Sequence, residues 1–291
     1  MRCEKIVLHS TDHLEPETQQ FYCQALSALA EAGVPFLVGG AYAFERYTGI
    51  ARHTKDFDVF VHPRDVDAAL GALSAAGYRT ERTFPHWLGK AVMGDDFVDV
   101  IFGAGNGVAV VDDEWFAHAV PDEVLGLPAW LCPAEETIWS KAFIMERERY
   151  DGADVAHLLH AAAERLDWRR LLRRFGPHWR VLFQHLVLFG FIYPADRHRI
   201  PPSVMRTLTR RLGRELLAPS PSDRLCQGTL LSRAQYLVDV GGRDYVDARL
   251  MPHGALSREE AALWTAAIAD DLPAMQATPV PAPAHEPPEA A

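Results

Sequence analysis

Apolar residues recur along the first hundred residues at two different spacings. Residues 15–32 carry apolar side chains at helical spacing up to Gly33, which predicts a helix. Two short apolar runs, 35–38 and 57–61, predict buried strands on either side of a helix over about 41–47. A further helix is predicted over 66–76. This alternation indicates an α/β arrangement.

Three more apolar segments follow, and turns alone separate them. They cover residues 78–83, 87–93 and 97–102, and Gly94-Asp95 favours a tight turn between the last two. Consecutive strands joined by short turns pair antiparallel. We therefore expect a mixed sheet.

Beyond residue 130 the apolar spacing is helical. It predicts helices over 134–149, 155–165, 168–175, 179–192 and 204–217. From residue 277 the chain consists mainly of Pro, Ala and Glu, a composition that cannot bury a core. The chain is therefore divided into an α/β (α+β) core over 1–130, a helical region over 131–276 and a disordered tail over 277–291.

Composition narrows the class of protein. Of the 291 residues 48% are hydrophobic, which is enough to bury a substantial core. The four cysteines lie far apart, as is typical of free thiols in a reducing compartment. The most apolar stretch, 181–193, is too short for a membrane span, and the N-terminus lacks the apolar segment of a signal peptide. We expect a cytoplasmic protein without membrane contact.

Charge leaves one question open. The net charge of -10 argues against a surface generally suited to nucleic acid. Arginines nevertheless concentrate in two segments, residues 165–180 and 197–214, with six in each. Such clusters either contact the phosphates of an RNA or form helix faces paired with acidic residues.

The candidate chemistry begins with carboxylates. Asp56 and Asp58 stand at i and i+2 on a predicted strand, so both point to the same face, where they repel each other. Asp99 lies in another strand that is otherwise apolar, where a carboxylate needs a partner or a metal. A divalent cation, Mg²⁺ (or Mn²⁺), relieves the repulsion and favours carboxylate and phosphate oxygens. The three residues are therefore the predicted metal and catalytic carboxylates.

Gly39-Gly40 closes a predicted strand and opens a helix, where bare backbone N–H groups can hold a phosphate. Each motif also has a plainer interpretation. Paired glycines usually make a tight turn, and Asp-x-Asp commonly lies at a solvent-facing strand edge. The ordered combination of the glycines with all three acids favours phosphate chemistry.

This ordered combination resembles the DNA-polymerase-β-type nucleotidyltransferase superfamily. More narrowly, residues 52–58 (RHTKDFD) resemble the Arg-x-Ser/Thr-x-Asp-x-Asp form of bacterial minimal nucleotidyltransferases, including abortive-infection toxins. Lys141 and residues 147–154 resemble the helical Lys…Arg…Asp-x-x-Asp segment of that group. Besides the three predicted metal carboxylates and the two glycines, the resemblance implies that further residues contact the nucleotide: Arg52, Thr54, Lys55, Lys141 and Asp154. As alternatives, Lys141 extends to solvent from an apolar helix and Asp154 caps a helix.

The resemblance implies transfer of NMP from an NTP to a hydroxyl acceptor, with release of pyrophosphate. The arginine clusters weakly favour RNA, such as tRNA, as the acceptor. A small-molecule acceptor with positive charges would instead need an acidic pocket, for which residues 112–114 (DDE) are candidates. The alternative class is a non-catalytic nucleotide-binding subunit or a toxin–antitoxin component with a small helical partner protein.

Overall fold

The computed structural model describes residues 14–51 and 56–267. Arg52, Thr54 and Lys55, to which nucleotide contacts were assigned, lie outside the described residues, as does the predicted disordered tail over 277–291. Among the described helices, none combines the length and the apolar character needed to cross a membrane.

The first half of the described chain holds seven strands and four helices. The strands are β1 (Leu37–Val38), β2 (Asp56–Phe60), β3 (Arg79–Phe84), β4 (Leu88–Met93), β5 (Asp96–Ile101), β6 (Val120–Val124) and β7 (Leu127–Leu131). The helices are α1 (Pro16–Glu31), α2 (Gly40–Thr48), α3 (Val66–Ala75) and α4 (Asp113–Ala117).

The second half is mainly helical. Its helices are α5 (Ala134–Ala142), α6 (Gly152–Ala162), α7 (Trp168–Phe175), α8 (Trp179–Ile192), α9 (Pro202–Leu217), α10 (Leu237–Gly242) and α11 (Arg258–Ala266). Two short strands, β8 (Leu225–Cys226) and β9 (Val246–Asp247), pair with each other. The predicted fold class, a mixed-sheet core followed by a helical region, is confirmed.

One sheet joins the first seven strands in the order β3-β4-β5-β2-β1-β7-β6. The pairs β2–β5 and β1–β7 are parallel, and the other pairs are antiparallel. The sheet is therefore mixed, as the sequence predicted. The parallel pairing of β2 with β5 sets Asp58 directly beside Asp99.

The two faces of β2 have different environments. Phe57 and Val59 are fully buried in the core cluster that also contains Leu26 of α1 and Leu73 of α3. Because side chains alternate along a strand, Asp56 and Asp58 point to the opposite face. That face lines the cavity that contains the candidate site.

Two of the differences between the structure and the prediction have a clear physical reason. The hairpin of β6 and β7 was not predicted, because its turn is Leu125-Gly126, with φ of 54° and 81°. Leucine rarely adopts positive φ, so this turn carries no recognisable sequence signal. In addition, α5 ends at Ala142 instead of residue 149, because the chain beyond it folds back through a bridge between Met145 and Tyr150.

Candidate active site

A cavity of about 740 Å³ opens on the face of the sheet to which Asp56 and Asp58 point. Its walls come from β2, β4 and β5, from α5 and residues 143–149, and from residues 229–233 together with α11. All three predicted carboxylates and both glycines of the Gly-Gly pair line it. The structure thus brings these five residues together.

Asp58 and Asp99 form the centre of this site. They lie opposite each other on the neighbouring strands β2 and β5. Asp56 lies two residues before Asp58, so its side chain points to the same face. Burial and the charges of Asp99 and Asp56 raise the pKa of Asp58 to about 7. Burial also raises the pKa of Asp99, although the ammonium group of Lys90 opposes that rise. The three carboxylates therefore carry more negative charge than the positive groups around them offset.

The carboxylates suit a cation that a substrate also helps to bind. In the described part of the chain, no three acidic, histidine or cysteine side chains converge to ligate one ion together. Mg²⁺ usually takes only one or two carboxylates and completes its shell with phosphates and water. Asp99 Oδ1 is buried and has no hydrogen-bond partner among the residues that the structure describes, although Lys90 Nζ lies 3.1 Å away. This arrangement fits a partly open Mg²⁺ site.

The glycine pair allows α2 to begin against Asp58. Gly40 has φ of +54°, and a Cβ there would lie 1.7 Å from Asp58 Oδ2. A Cβ on Gly39 would lie 2.2 Å from the ring of Phe60, and the Gly39 N–H donates to the Asp58 carbonyl at 3.0 Å. The N-cap residue of α2 is Gly39, which has no side chain with which to cap the helix. The first amides of this helix therefore stand beside the carboxylates, where they can hold an anion.

Lys141 links α5 to α6 at the edge of the cavity. Its Nζ lies 3.0 Å from Asp151 Oδ2 and 2.8 Å from Asp154 Oδ2. Arg149 Nε donates to Asp151 Oδ1 at 3.0 Å. Burial alone would raise the pKa of Asp151, but Arg149 and Lys141 lower it below its usual range. Lys141 and Asp154 therefore form an ion pair with each other, and their predicted contacts with nucleotide stay predictions.

We expect Lys141→Met to destabilise the fold by about 3 kcal/mol, because it removes the ammonium group that bridges the buried carboxylates of Asp151 and Asp154. Arg149→Gln is the control: it also removes a bond to Asp151, but the Arg149 side chain is 66% exposed, so a loss below about 1 kcal/mol is expected. Urea unfolding of both variants measures the difference. Equal losses would contradict the assignment of Lys141 as the main link.

Lys90 is a site residue that the sequence interpretation missed. Besides approaching Asp99, its Nζ lies 4.2 Å from the centroid of the Phe97 ring. A signal was present in the sequence, because a two-residue turn at Gly94-Asp95 makes Met93 the partner of Asp96. Counting back from that pair sets Lys90 opposite Asp99.

Many of the clustered arginines are paired with acids. Buried Arg170 contacts Glu135 and Glu136, and Arg174 bonds Glu136 and Asp112. Three further pairs are Arg173–Glu114, Arg180–Glu215 and Arg199–Glu164. For these arginines the structure matches the alternative of paired helix faces. An RNA acceptor stays a prediction that these pairs do not favour.

The acidic run 112–114 does not face the cavity. Asp112 caps α4 and bonds Arg174, Asp113 bonds Arg64, and Glu114 approaches Arg173. The described residues that line the cavity include none of these three acids. The run is therefore not an acidic pocket beside the carboxylates.

Three solved structures illustrate what the chain is similar to. The antibiotic-resistance factor ANT(2″)-Ia is 15% identical, with 64% of this chain and 97% of that chain covered and a TM-score of 0.40. The lincosamide antibiotic adenylyltransferase LnuA, lincomycin-bound, is 16% identical, with 49% and 95% covered and a TM-score of 0.35. JHP933 from Helicobacter pylori is 12% identical, with 70% and 97% covered and a TM-score of 0.35. No family model matches the chain, and no curated protein matches its sequence.

Proposed function

We propose that the protein is a nucleotidyltransferase that moves NMP from an NTP to a hydroxyl acceptor and releases pyrophosphate. One observation carries the proposal: the N-terminus of α2, which begins at a glycine pair, approaches Asp58 so closely that only glycine fits at position 40, and Asp58 stands beside Asp99. An anion site and a carboxylate pair in one cavity suit a metal-bound triphosphate.

In this proposal the Gly39-Gly40 turn presents the first amides of α2 to the leaving phosphates, which it seats beside the carboxylates. Asp58 and Asp99, with Asp56 beside them, hold Mg²⁺ (or Mn²⁺). When bound, the cation neutralises phosphate charge and favours ionisation of the attacking hydroxyl. We also assign phosphate contacts to Arg52, Thr54 and Lys55, because these residues immediately precede Asp56 and match the motif described above.

The reaction forms one bond and breaks one. The acceptor oxygen bonds to the α-phosphorus, and the bond from that phosphorus to the bridging oxygen breaks, so that its electron pair leaves with pyrophosphate. The hydroxyl proton passes to the carboxylate of Asp99. Burial raises the pKa of Asp99, which makes its carboxylate a stronger base for this proton.

The test is transfer of label from each of the four α-labelled NTPs to tRNA and to a panel of small hydroxyl compounds, with Mg²⁺ present. We expect label on one acceptor together with release of pyrophosphate, and loss of both in Asp99→Asn. Asp96→Asn is the control, because Asp96 lies on the same strand but on the other face, where Thr18 donates to it at 3.2 Å.

Two outcomes would reject the proposal. One is equal transfer by wild type and Asp99→Asn. The other is NTP binding that needs no Mg²⁺ and leads to no turnover, which would favour the non-catalytic binding subunit. A toxin–antitoxin role would be supported by a small helical protein that co-purifies with the chain and blocks transfer.

A further inference from the structure

Aromatic rings form the end of the cavity that lies beyond Asp99. Phe84 ends β3, Trp87 lies in the turn before β4, and Trp264 belongs to α11. The Phe84 and Trp87 rings stack with centroids 5.6 Å apart, and Trp264 meets them edge-on at 5.2 and 5.1 Å. We call Phe84, Trp87 and Trp264 the aromatic wall. All three side chains are only partly buried and line the cavity.

The order of strands sets the aromatic wall opposite the phosphate end. From the Gly-Gly pair after β1, the cavity floor runs through β2 with Asp58, β5 with Asp99 and β4 with Lys90 to β3 with Phe84. In phosphoryl transfer the attacking and leaving oxygens stand roughly in line on opposite sides of the phosphorus. If pyrophosphate leaves at Gly40, the acceptor therefore approaches from the side of the aromatic wall.

The charges near the aromatic wall are mostly paired. Arg233 packs over the Trp264 ring at 4.3 Å and its Nε lies 3.6 Å from Glu146. Lys90 pairs with Asp99. Burial lowers the pKa of His86, whose Nε2 lies 3.1 Å from the Gly105 carbonyl, so this histidine is neutral. The charged groups named here therefore offset one another, which favours a ligand of low charge over a polyanion or a polycation.

We infer that the aromatic wall binds the acceptor of the proposed reaction. The acceptor is then a small molecule of low charge whose hydroxyl group is carried on a ring with a flat face, such as the C–H face of a sugar. Flat ring faces stack on indole and phenyl rings, which accounts for three aromatic side chains at one end of a polar cavity. The buried Trp87 Nε1, which has no hydrogen-bond partner among the described residues, offers a donor for an oxygen of such a ring. This inference rests on the proposed function.

The experiment uses 4-methylumbelliferyl β-D-glucopyranoside, an uncharged fluorescent compound with a flat ring and a sugar, as the probe. Fluorescence titration of the full chain should give a Kd that is roughly millimolar, as expected for a ligand of this size with only part of its contacts made. Sorbitol, which has hydroxyls but no ring, should not compete. A Mg²⁺–ATP analogue with a non-hydrolysable α–β bridge should bind at the same time as the probe.

Three variants test the residues. Trp264→Ala should weaken the probe at least about fivefold and Trp264→Phe should restore most of that loss. Gly105→Ala substitutes no residue of the aromatic wall, but a Cβ there would lie 2.4 Å from the Trp264 ring and must displace it, so this variant should also weaken the probe. Each variant should keep the wild-type affinity for the Mg²⁺–ATP analogue, which shows that it is folded.

The outcomes separate the inference from the proposed function. Failure of the probe to bind at about 10 mM, or equal binding by Trp264→Ala, overturns the aromatic wall as an acceptor site. Displacement of the probe by the nucleotide analogue overturns it too, because the rings then hold the nucleobase. Competition by an RNA dodecamer would identify a polynucleotide acceptor instead. If the wild type binds the probe but not the Mg²⁺–ATP analogue, the proposed function fails while the ring site stands.

Discussion

Asp58→Asn is expected to reduce nucleotide transfer by roughly a thousandfold, the loss typical of removing one group that stabilises charge in the transition state. Asp58 stands between the first turn of α2 and Asp99, so in the proposed site it is the carboxylate that contacts both the phosphate end and the cation. Asparagine preserves the shape but removes the negative charge that attracts Mg²⁺. Single-turnover transfer of label, measured with saturating Mg²⁺–NTP, gives the loss directly.

The same substitution should stabilise the protein without Mg²⁺. The pKa of Asp58 is about 7 in the folded chain, above its ordinary value of 3.8. Between these two values the folded state binds more protons than the unfolded state, so wild-type stability falls as the pH rises from 4 to 7. Asparagine has no such dependence. At pH 8 we expect Asp58→Asn to be more stable by on the order of 2–4 kcal/mol, with a difference near zero at pH 4.

Urea unfolding at pH 4 and pH 8, with and without Mg²⁺, measures this effect. Mg²⁺ should raise the stability of the wild type at pH 8 and leave Asp58→Asn unchanged, because the cation binds the ionised carboxylate. Asp96→Asn, on the opposite face of the sheet, should retain transfer and the response to Mg²⁺. A variant at position 58 that is less stable than wild type at pH 8 would contradict the charge repulsion described above.

Gly40→Ala should lower transfer by roughly a hundredfold, because a misplacement of about 1 Å at a reacting group costs that much. Its Cβ would lie 1.7 Å from Asp58 Oδ2, so either the carboxylate or the start of α2 must move. The overpacking also costs about 1–3 kcal/mol of stability, besides the strain of a positive φ. Transfer rates and Mg²⁺–NTP affinity should fall together.

Gly49→Ala separates the effect of backbone strain at a positive φ from the effect of the steric clash with Asp58. Gly49 ends the same helix with φ of +70°, but a Cβ there meets no atom of the residues in 14–51 and 56–267 within 4 Å. We expect this variant to lose about 1 kcal/mol of stability and to keep transfer and nucleotide affinity near wild type. If Gly49→Ala impaired transfer as much as Gly40→Ala, backbone strain in α2 would explain both results and the contact with Asp58 would not.

Much of the core was predictable because it depends on contacts within short segments. Helix α8 was predicted with both of its ends, since a continuous apolar spacing defines it. The boundary of α5 was wrong because ion pairs of Lys141 with Asp151 and a turn at 143–151 end the helix early. Helix periodicity does not reveal such competing contacts.

The sequence by itself determined that Asp56 and Asp58 share a face, because side chains alternate along any strand. It also contained the pairing of Lys90 with Asp99, since a two-residue turn sets the register of a hairpin. Only the tertiary structure decided that β2 and β5 lie parallel and adjacent, because a long crossover connects them and no local rule sets their register. The approach of Gly40 to Asp58 and the meeting of Trp264 with Trp87 depend in the same way on packing between segments distant in the chain.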